Sequence, residues 1–279
     1  MTSPSLMLHE ESVTSWTTNA AFWDDAMGQD GNKYWKCLQK PVLERMIPFQ
    51  AGTDTRVLEL ATGNGLVARW LASNGASVLA TDISEKMLEH ARRRELSEHK
   101  GKIEYRLLDV TSSEALDTLA RDDVAAGGFD VVIVNMALMD ISTIEPLAGA
   151  LPKLLKKDGI FVATLLHPVF CTSGAQRNIQ LTDSGPDGYP VITRSKIIST
   201  YLNVPPTRGV AKYGQPVQQI YYHRPLHELF SVFFAAGLAM DAMEEPAFKA
   251  EDGTPERIES FSNYTELPTV LAFRMRIIR

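Results

Sequence analysis

The fold of this 279-residue chain is decided by Arg56-Val-Leu-Glu-Leu-Ala-Thr-Gly-Asn-Gly65. Its apolar start is typical of a buried strand, its two glycines predict a tight turn, and the apolar residues at 66–73 predict a helix. Glycine lets a ligand come close to the backbone because it has no Cβ. A helix that begins at such a turn offers unpaired N–H groups to an electron-rich ligand. The stretch therefore predicts a nucleotide-binding strand–turn–helix unit.

Three acidic residues lie at or near predicted strand ends. Glu59 lies in the first strand, Asp82 ends a second strand at 77–81, and Asp109 follows a third at 103–108. Asp82 comes 17 residues after Gly65, close to the spacing of about 20 for a carboxylate that binds ribose. A carboxylate accepts two hydrogen bonds and suits a vicinal diol. Asp109 suits the amine of adenine, with the backbone N–H of Val110 beside the ring.

Strands and helices alternate from residue 56 to 167, which predicts a parallel sheet covered on both faces. Residues 1–50 are predicted to be an N-terminal helical cap, and residues 51–279 the ligand-binding domain. Within that domain we expect residues 168–224, rich in Pro, Gly, Ser and Gln, to form an inserted lid. Predicted strands are 56–60, 77–81, 103–108, 129–134, 159–166, 239–245 and 268–278; predicted helices are 64–74, 84–97, 112–120, 143–156 and 225–236.

These motifs resemble those of the class I S-adenosylmethionine-dependent methyltransferases. The family's acidic-x-Gly-x-Gly-x-Gly motif falls on Glu59-x-Ala61-x-Gly63-x-Gly65, with Ala61 in place of the first glycine. The resemblance implies a doubly wound, mostly parallel seven-stranded α/β sheet whose last two strands pair as a hairpin, the final strand being antiparallel. It also implies S-adenosylmethionine as the cofactor, bound by Glu59, Ala61, Gly63, Asn64, Gly65, Asp82, Ile83, Met87, Asp109, Val110, Asn135 and Met136.

A nicotinamide-binding domain is the main rival on the same residues, because Gly63-x-Gly65-x-x-Ala68 satisfies its fingerprint. Glu59 and Asp109 have no required role in that class. The chain also lacks a Tyr-x-x-x-Lys pair, and no second mononucleotide-binding half is evident after residue 167. The methyltransferase interpretation therefore accounts for more of the sequence.

Composition narrows the class of partner. The net charge of −6 and the pI of about 5.6 disfavour nucleic acid, which requires a basic face. Cys37 and Cys171 lack metal-ligand spacing and are too few for a disulfide framework, which predicts a reduced, cytoplasmic protein without a metal site. No apolar run approaches the roughly 20 residues of a membrane span. We expect a monomer or homodimer that acts on a small molecule.

Two histidines are candidate general bases. His167 follows the fifth strand and precedes Pro168, which favours extended backbone at the ligand-binding edge. An imidazole with a pKa of about 6.5 suits proton transfer at neutral pH. His223, in the run from Tyr221 to Pro225, is the competing base. The alternative for both is a structural hydrogen bond that holds the lid.

The acceptor pocket is predicted from the aromatic residues of the cap and lid, which suit stacking or cation–π contact with the sulfonium or an aromatic substrate. In methyltransferases that act on adenine or amide nitrogen, the fourth strand ends in Asp/Asn-Pro-Pro followed by Tyr, Phe or Trp. Because no proline follows Asn135, the resemblance disfavours that subclass. Asp140 is expected to cap the next helix rather than to bind a cationic substrate. The predicted substrate-binding residues are Trp23, Tyr34, Trp35, Met139, Phe170, Tyr222 and Arg224.

The resemblance implies transfer of a methyl group to a small-molecule acceptor, with a specialised metabolite as one candidate. The acceptor atom stays open among O, N, S and C. One alternative is a protein of the same fold that binds the cofactor without methylating, or that uses the sulfonium in cyclisation or rearrangement. A methyltransferase for protein or RNA is less favoured, since the chain has neither a basic patch nor a separate binding domain.

Overall fold

The computed structural model describes residues 4–48, 55–94, 100–183, 185 and 188–278. The predicted boundary between the cap and the binding domain, at 50 and 51, lies outside the described residues, as does the predicted end of the second helix at 97. The helices are α1 (Pro4–Met27), α2 (Lys40–Met46), α3 (Leu66–Ser73), α4 (Glu85–Arg94), α5 (Ser113–Arg121), α6 (Glu145–Leu154) and α7 (Leu226–Ala235).

Across these ranges, seven of the strands form one sheet in the order β10-β11-β5-β4-β1-β2-β3. Strands β1 to β5 are parallel, and β11 runs antiparallel to both β5 and β10. The predicted seven-stranded sheet and its terminal hairpin are thereby confirmed. The strands are β1 (Arg56–Leu60), β2 (Ser77–Asp82), β3 (Lys102–Leu107), β4 (Phe129–Asn135), β5 (Leu155–Leu166), β6 (Gln176–Thr182), β7 (Val191–Ile197), β8 (Thr207–Gly209), β9 (Gln219–Tyr221), β10 (Leu238–Glu244) and β11 (Val270–Ile277).

Apolar clusters cover the central strands on both faces, as parallel strands require. One cluster packs α5, α6 and α7 against the sheet, and a second packs α2 and α3. In the first, the ring of Phe161 lies 5.1 Å from that of Phe233 and 6.0 Å from that of Phe273. The core therefore fixes the strand ends at which ligands bind in this architecture.

Strand β5 begins at Leu155, four residues earlier than predicted. Leu155 pairs with Phe129, and the register then shifts so that Ile160 pairs with Val131. Gly159 lies at this bulge, where an added Cβ would be 2.8 Å from the carbonyl oxygen of Phe129. Because alternation of apolar residues breaks at the bulge, the sequence pattern places the strand start too late.

Helix α1 is held to α4 by a cluster of charged groups. The Asp24 carboxylate accepts hydrogen bonds from the Nε and Nη2 of Arg94, and its Oδ2 lies 2.9 Å from Nδ1 of His90. The side-chain amide of Asn64, in the glycine turn, donates to Oδ1 of the same carboxylate at 3.1 Å. The N-terminal helix is thus attached beside the glycine turn.

The inserted segment 168–224 contains regular structure where loops were expected. Strands β6 and β7 form one antiparallel hairpin, and β8 pairs with β9 in a second. Strand β8 also reaches α1, because Nε and Nη2 of Arg208 donate to the Glu11 carboxylate at 2.5 and 2.6 Å. Among the described helices, none combines the length and the apolar character that a membrane crossing needs.

Candidate active site

A cavity of about 820 Å³ opens at the carboxyl ends of β1, β2 and β4, between the sheet, α1 and the insertion. The predicted cofactor residues that line it are Glu59, Ala61, Gly63, Asn64, Asp82, Ile83, Met87, Asp109, Val110, Asn135 and Met136. From the predicted substrate residues, Trp23, Tyr34 and Met139 line it as well. The structure therefore brings most predicted binding residues together at one edge of the sheet.

The two glycines of the turn have different surroundings: Gly63 borders open space, and Gly65 is packed against other residues. Ala61, Gly63 and Gly65 have φ angles of 56°, 57° and 74°. A Cβ on Gly63 would meet no atom within 4 Å, so its absence leaves space open toward the cavity. A Cβ on Gly65 would instead lie 2.9 Å from the Tyr105 hydroxyl and 3.0 Å from Cβ of Ala91. Gly65 is not among the residues that line the cavity, so its assignment as a cofactor contact is corrected to packing against α4 and β3.

Asp82 is held in place by the backbone. Its Oδ2 accepts from the Gly63 N–H at 2.8 Å, and its Oδ1 from the Ser84 N–H at 2.9 Å. Burial raises the pKa of Asp82 to about 6, an effect that these backbone hydrogen bonds oppose. Because each carboxylate oxygen can accept more than one hydrogen bond, the fixed group retains acceptor capacity for a diol.

Glu59 is the most deeply buried carboxyl of the cavity, with 1% of its surface exposed. The Thr62 hydroxyl donates to its Oε2 at 2.7 Å. Burial raises the pKa of Glu59 to about 8, and the hydrogen bond from Thr62 and the charge of Arg69 lower it only in part. A buried carboxyl of this kind gains its charge when a cationic group binds nearby.

The raised pKa values predict a pH-dependent stability of the ligand-free protein. The pKa of Glu59 rises from 4.5 to about 8, so above pH 4.5 the unfolded chain releases this proton while the folded protein keeps it. We expect the free energy of unfolding to fall between pH 5 and 8. Urea titrations should show this slope, and the isosteric variant Glu59→Gln should flatten it. An equal slope in both proteins would contradict the assignment.

Asp109 connects the third strand end to the N-terminal helix. Its Oδ1 accepts from the N–H and the hydroxyl of Thr111 at 2.8 and 2.7 Å. Its Oδ2 lies 3.2 Å from Nε2 of His9 on α1. Helix α1 thus covers the part of the cavity at which the sequence predicts adenine binding.

The segment after β4 has an unusual backbone. Met136 has a φ of 54°, and its N–H donates to the carbonyl oxygen of Thr164 at 2.8 Å. The Asn135 side chain accepts from the Thr164 hydroxyl at 2.7 Å and donates to Oε1 of Gln39 at 3.1 Å. Non-glycine residues with such angles cost about 1–3 kcal/mol and cluster at binding sites.

His167 lies outside the cavity lining, contrary to its predicted role as a general base. It is 2% exposed, and its Nε2 lies 2.7 Å from Oε1 of Glu245. Its Nδ1 accepts from the Val169 N–H at 3.2 Å, and its ring centroid lies 4.7 Å from that of Phe170, with the two planes tilted by 49°. With both ring nitrogens occupied, the imidazole holds the start of the insertion. Phe170 is likewise absent from the cavity lining, which corrects its predicted substrate contact.

His223 also has both ring nitrogens engaged. Its Nε2 donates to the Tyr201 carbonyl oxygen at 2.6 Å, and the Thr172 hydroxyl lies 3.2 Å from its Nδ1. Burial lowers the pKa of His223. The side chain lines a separate cavity of about 160 Å³ rather than the main one. Its predicted role as a base is therefore corrected to a structural contact within the insertion.

Tyr222 and Arg224 bind protein groups instead of the main cavity. The Tyr222 hydroxyl donates to the carbonyl oxygen of Leu8 on α1 at 3.0 Å. Arg224 is partly buried and donates to three backbone carbonyls at 2.8 to 3.0 Å, those of Leu138, Ile141 and Ser142. Neither residue lines the main cavity, so both predicted substrate contacts are corrected. Arg224 instead fixes the loop after β4.

The two aromatic residues adjacent in sequence separate in space. Tyr34 lines the cavity, with its ring 5.0 Å from that of Phe248, and burial raises its pKa to about 12. Trp35 is 3% exposed and packs edge-to-face against Trp70 of α3 at 5.8 Å. Trp35 is therefore a core residue, and its predicted substrate contact is corrected.

Several residues that line the cavity were not predicted from the sequence. Asp140 was expected to cap α6, but the first turn of that helix uses Glu145, whose Oε2 accepts from the Ile144 N–H at 3.1 Å. Asp140 lines the cavity instead. Its position just after β4 was the only available signal. Other lining residues that the sequence did not single out are Ser12, Trp16, Lys196, Gln219, Phe248 and Phe261.

Comparison with known proteins identifies the domain. Residues 58–163 match the family described as "Methyltransferase domain". Malonyl-[acyl-carrier protein] O-methyltransferase of Enterobacter lignolyticus is 26% identical over 121 residues, 43% of each chain. Demethylmenaquinone methyltransferase of Clavibacter sepedonicus is 34% identical over 109 residues, 38% of this chain and 39% of that protein. The chain thus spans less than half the length of these two curated relatives.

A solved structure extends the likeness beyond that domain. An S-adenosylmethionine dependent methyltransferase from Mesorhizobium loti aligns over 89% of this chain and 100% of its own, with a TM-score of 0.59 and 24% identity. At this identity the match shows a shared fold. Residues 58–163 therefore belong to the methyltransferase domain family, and the seven-stranded sheet that contains them has the class I methyltransferase fold.

Proposed function

We propose that the protein transfers the methyl group of S-adenosylmethionine to a small-molecule acceptor. The main support is one continuous cavity that joins three strand-end carboxyls, Glu59, Asp82 and Asp109, to an aromatic chamber under α1 and the insertion. Ligand pockets typically measure about 300–1,000 Å³. A cavity of about 820 Å³ therefore has room for a cofactor together with a small acceptor.

The residues present fit this cofactor. The missing Cβ of Gly63 leaves open space on the cavity side of the turn, and the fixed carboxylate of Asp82 stands beside it as a hydrogen-bond acceptor. Asp82 would bind the ribose hydroxyls, while Asp109 and the Val110 N–H would bind adenine. Buried Glu59 would gain its charge beside a cationic part of the ligand.

S-adenosylmethionine supplies an electrophilic methyl carbon on a sulfonium. The chain has to align the acceptor and exclude water, and alignment alone contributes several kcal/mol to such reactions. Trp16 and Trp23 lie on the cavity side of α1, with ring centroids 5.9 Å apart, and Met139 lines the cavity after β4. These groups make the acceptor side apolar. Neither His167 nor His223 lines it, and His9, which does, has its ring nitrogens in contact with Asp109 and Ser142. This favours positioning over proton abstraction by imidazole.

Transfer of a labelled methyl group tests the proposal. Purified protein is incubated with methyl-labelled S-adenosylmethionine and a panel of small phenols, amines, thiols and carboxylic acids. We expect label in at least one acceptor, and none when the protein has been denatured by heat before the cofactor is added. Tight binding of the product S-adenosylhomocysteine without transfer to any acceptor would favour the non-methylating alternative. The small-molecule acceptor, the cytoplasmic location, the exclusion of nucleic acid and the monomeric or homodimeric state stay predictions.

A further inference from the structure

Asp140 is a buried carboxyl on the acceptor side of the cavity that the proposed function leaves without a role. It is 8% exposed, and it follows β4 by five residues. Its Oδ1 accepts from Nε2 of Gln219 at 3.0 Å. Within the part of the chain that the structure describes, no donor reaches its Oδ2 and no cation pairs with it. A buried carboxylate is costly unless a partner compensates its charge.

The insertion holds this carboxyl in one orientation. Nε2 of Gln215 donates to Oε1 of Gln219, at 3.1 Å, and to the carbonyl oxygen of Val217, at 2.7 Å. The Gln219 amide is thereby turned so that its own N–H meets Oδ1 of Asp140. Arg224 donates to backbone carbonyl oxygens on both sides of Asp140, and it makes no hydrogen bond to the Asp140 carboxyl itself. The second carboxyl oxygen is therefore left to the cavity.

Two aromatic residues on elements packed near the Asp140 loop line the same cavity. The Ser12 hydroxyl donates to the Asp140 carbonyl oxygen at 3.2 Å, which brings α1 against the loop. Trp16 lies one helical turn after Ser12 and lines the same cavity. Tyr221, at the end of β9, lines it too, and its hydroxyl has a pKa raised by burial and, to a smaller extent, by the nearby Asp140 carboxylate. Aromatic faces attract cations and pack against apolar groups.

The basic groups of the cavity wall already have protein partners. Nζ of Lys196 donates to the Phe170 carbonyl oxygen at 2.6 Å and lies 4.4 Å from the ring centroid of Phe261. Arg257 pairs with Glu259 at 3.0 Å. Lys212 lies over the Phe22 ring at 5.8 Å. An anionic acceptor would have to displace such contacts, whereas a cationic acceptor would supply the partner that Asp140 lacks.

We propose that Asp140 selects an acceptor that carries a protonated amine on an aromatic body, with the ammonium group on Oδ2 and the body against Trp16. This inference rests on the proposed function, because it names the acceptor class of the same site. It makes Asp140 a specificity-determining residue that contacts the substrate.

Calorimetric titration tests this assignment without turnover. Full-length protein is titrated with 2-phenylethylamine, tyramine and tryptamine, and with the alcohol that matches each, both with and without saturating S-adenosylhomocysteine. We expect the amines to bind at least about tenfold more tightly than the alcohols, since a hydrogen bond to a charged group contributes about 1.5–3 kcal/mol. Asp140→Asn keeps the shape of the side chain and should abolish the preference.

Asp117→Asn is the matched control, because it removes one carboxylate charge from an exposed pair with Lys153. It should keep the amine preference. Equal binding of amines and alcohols by the wild-type protein, no amine binding, or an unchanged preference in Asp140→Asn would each overturn the assignment. Methyl transfer to alcohols alone would overturn it and leave the proposed function intact. Failure to bind S-adenosylhomocysteine would count against the proposed function only, because the titrations are also made without it.

Discussion

Replacement of Asp82 by alanine is expected to weaken S-adenosylhomocysteine binding by about 1.5–3 kcal/mol, roughly 10- to 150-fold. The carboxylate is buried, is fixed by the N–H groups of Gly63 and Ser84, and lies at the end of β2, where it faces the cavity. Its loss removes the acceptors proposed for the ribose diol. Isothermal titration calorimetry measures the change directly.

Asp82→Asn and Asp117→Ala make this experiment specific. Asparagine keeps one acceptor oxygen, so Asp82→Asn should lose less affinity than Asp82→Ala. Asp117 lies on α5 and pairs with Lys153 at the surface, so its removal should leave affinity unchanged. Circular dichroism and thermal unfolding show whether the turn survives. Wild-type affinity in a folded Asp82→Ala protein would refute the ribose assignment.

Replacement of Asp24 by alanine is expected to release α1 from the rest of the molecule. Asp24 accepts from Arg94, from the Asn64 amide at 3.1 Å, and contacts Nδ1 of His90. Losing such charged hydrogen bonds costs about 1.5–3 kcal/mol. Because Asn64 belongs to the glycine turn, affinity for S-adenosylhomocysteine should fall together with the protection of α1. Hydrogen exchange over residues 4–27 and calorimetry report the two effects.

Asp25→Ala provides the neighbouring control. Asp25 has the same charge, but its side chain is exposed. The Asp25→Ala variant should therefore keep hydrogen exchange in α1 and affinity for S-adenosylhomocysteine close to those of the wild-type protein. If Asp24→Ala exchanges as slowly as Asp25→Ala, then α1 is held by its apolar contacts, and the charged cluster contributes little.

The positions of the proposed cofactor-binding residues at one edge of the sheet could be predicted because their signals are local. Glu59, Gly63 and Asp82 each lie at the end of an apolar run or inside a glycine turn, and their positions follow from the order of strands in the sheet. The role of Gly65 could not be predicted in this way, since it depends on the Tyr105 hydroxyl and on Ala91, in other elements. Spacing identifies the turn but not the direction in which each residue faces.

The surroundings of the proposed acceptor residues could not be predicted, because partners distant in sequence decide them. His167 has suitable chemistry and position, but Glu245, 78 residues further along, occupies its Nε2. Trp35 is adjacent to a cavity residue but packs on Trp70 of another helix. Asp140 precedes α6 and could cap it, yet its Oδ1 accepts a hydrogen bond from Gln219 of the insertion and the residue lines the cavity. The composition of residues 168–224 predicted loops, whereas this insertion forms two antiparallel hairpins.

The ionic attachment of α1 has a consequence for the rate at which ligands enter and leave. Among the described residues, this helix makes four contacts between charged or ionisable groups: Asp24 with Arg94 and with His90, Glu11 with Arg208, and His9 with Asp109. Salt screens such contacts, with a Debye length of about 10 Å at 0.1 M and 3 Å at 1 M ionic strength. Helix displacement precedes ligand exchange if the cavity opens on this side, and lid opening limits turnover in many enzymes. Ionic strength would then set how often the cavity opens, so that dissociation of S-adenosylhomocysteine accelerates with added salt.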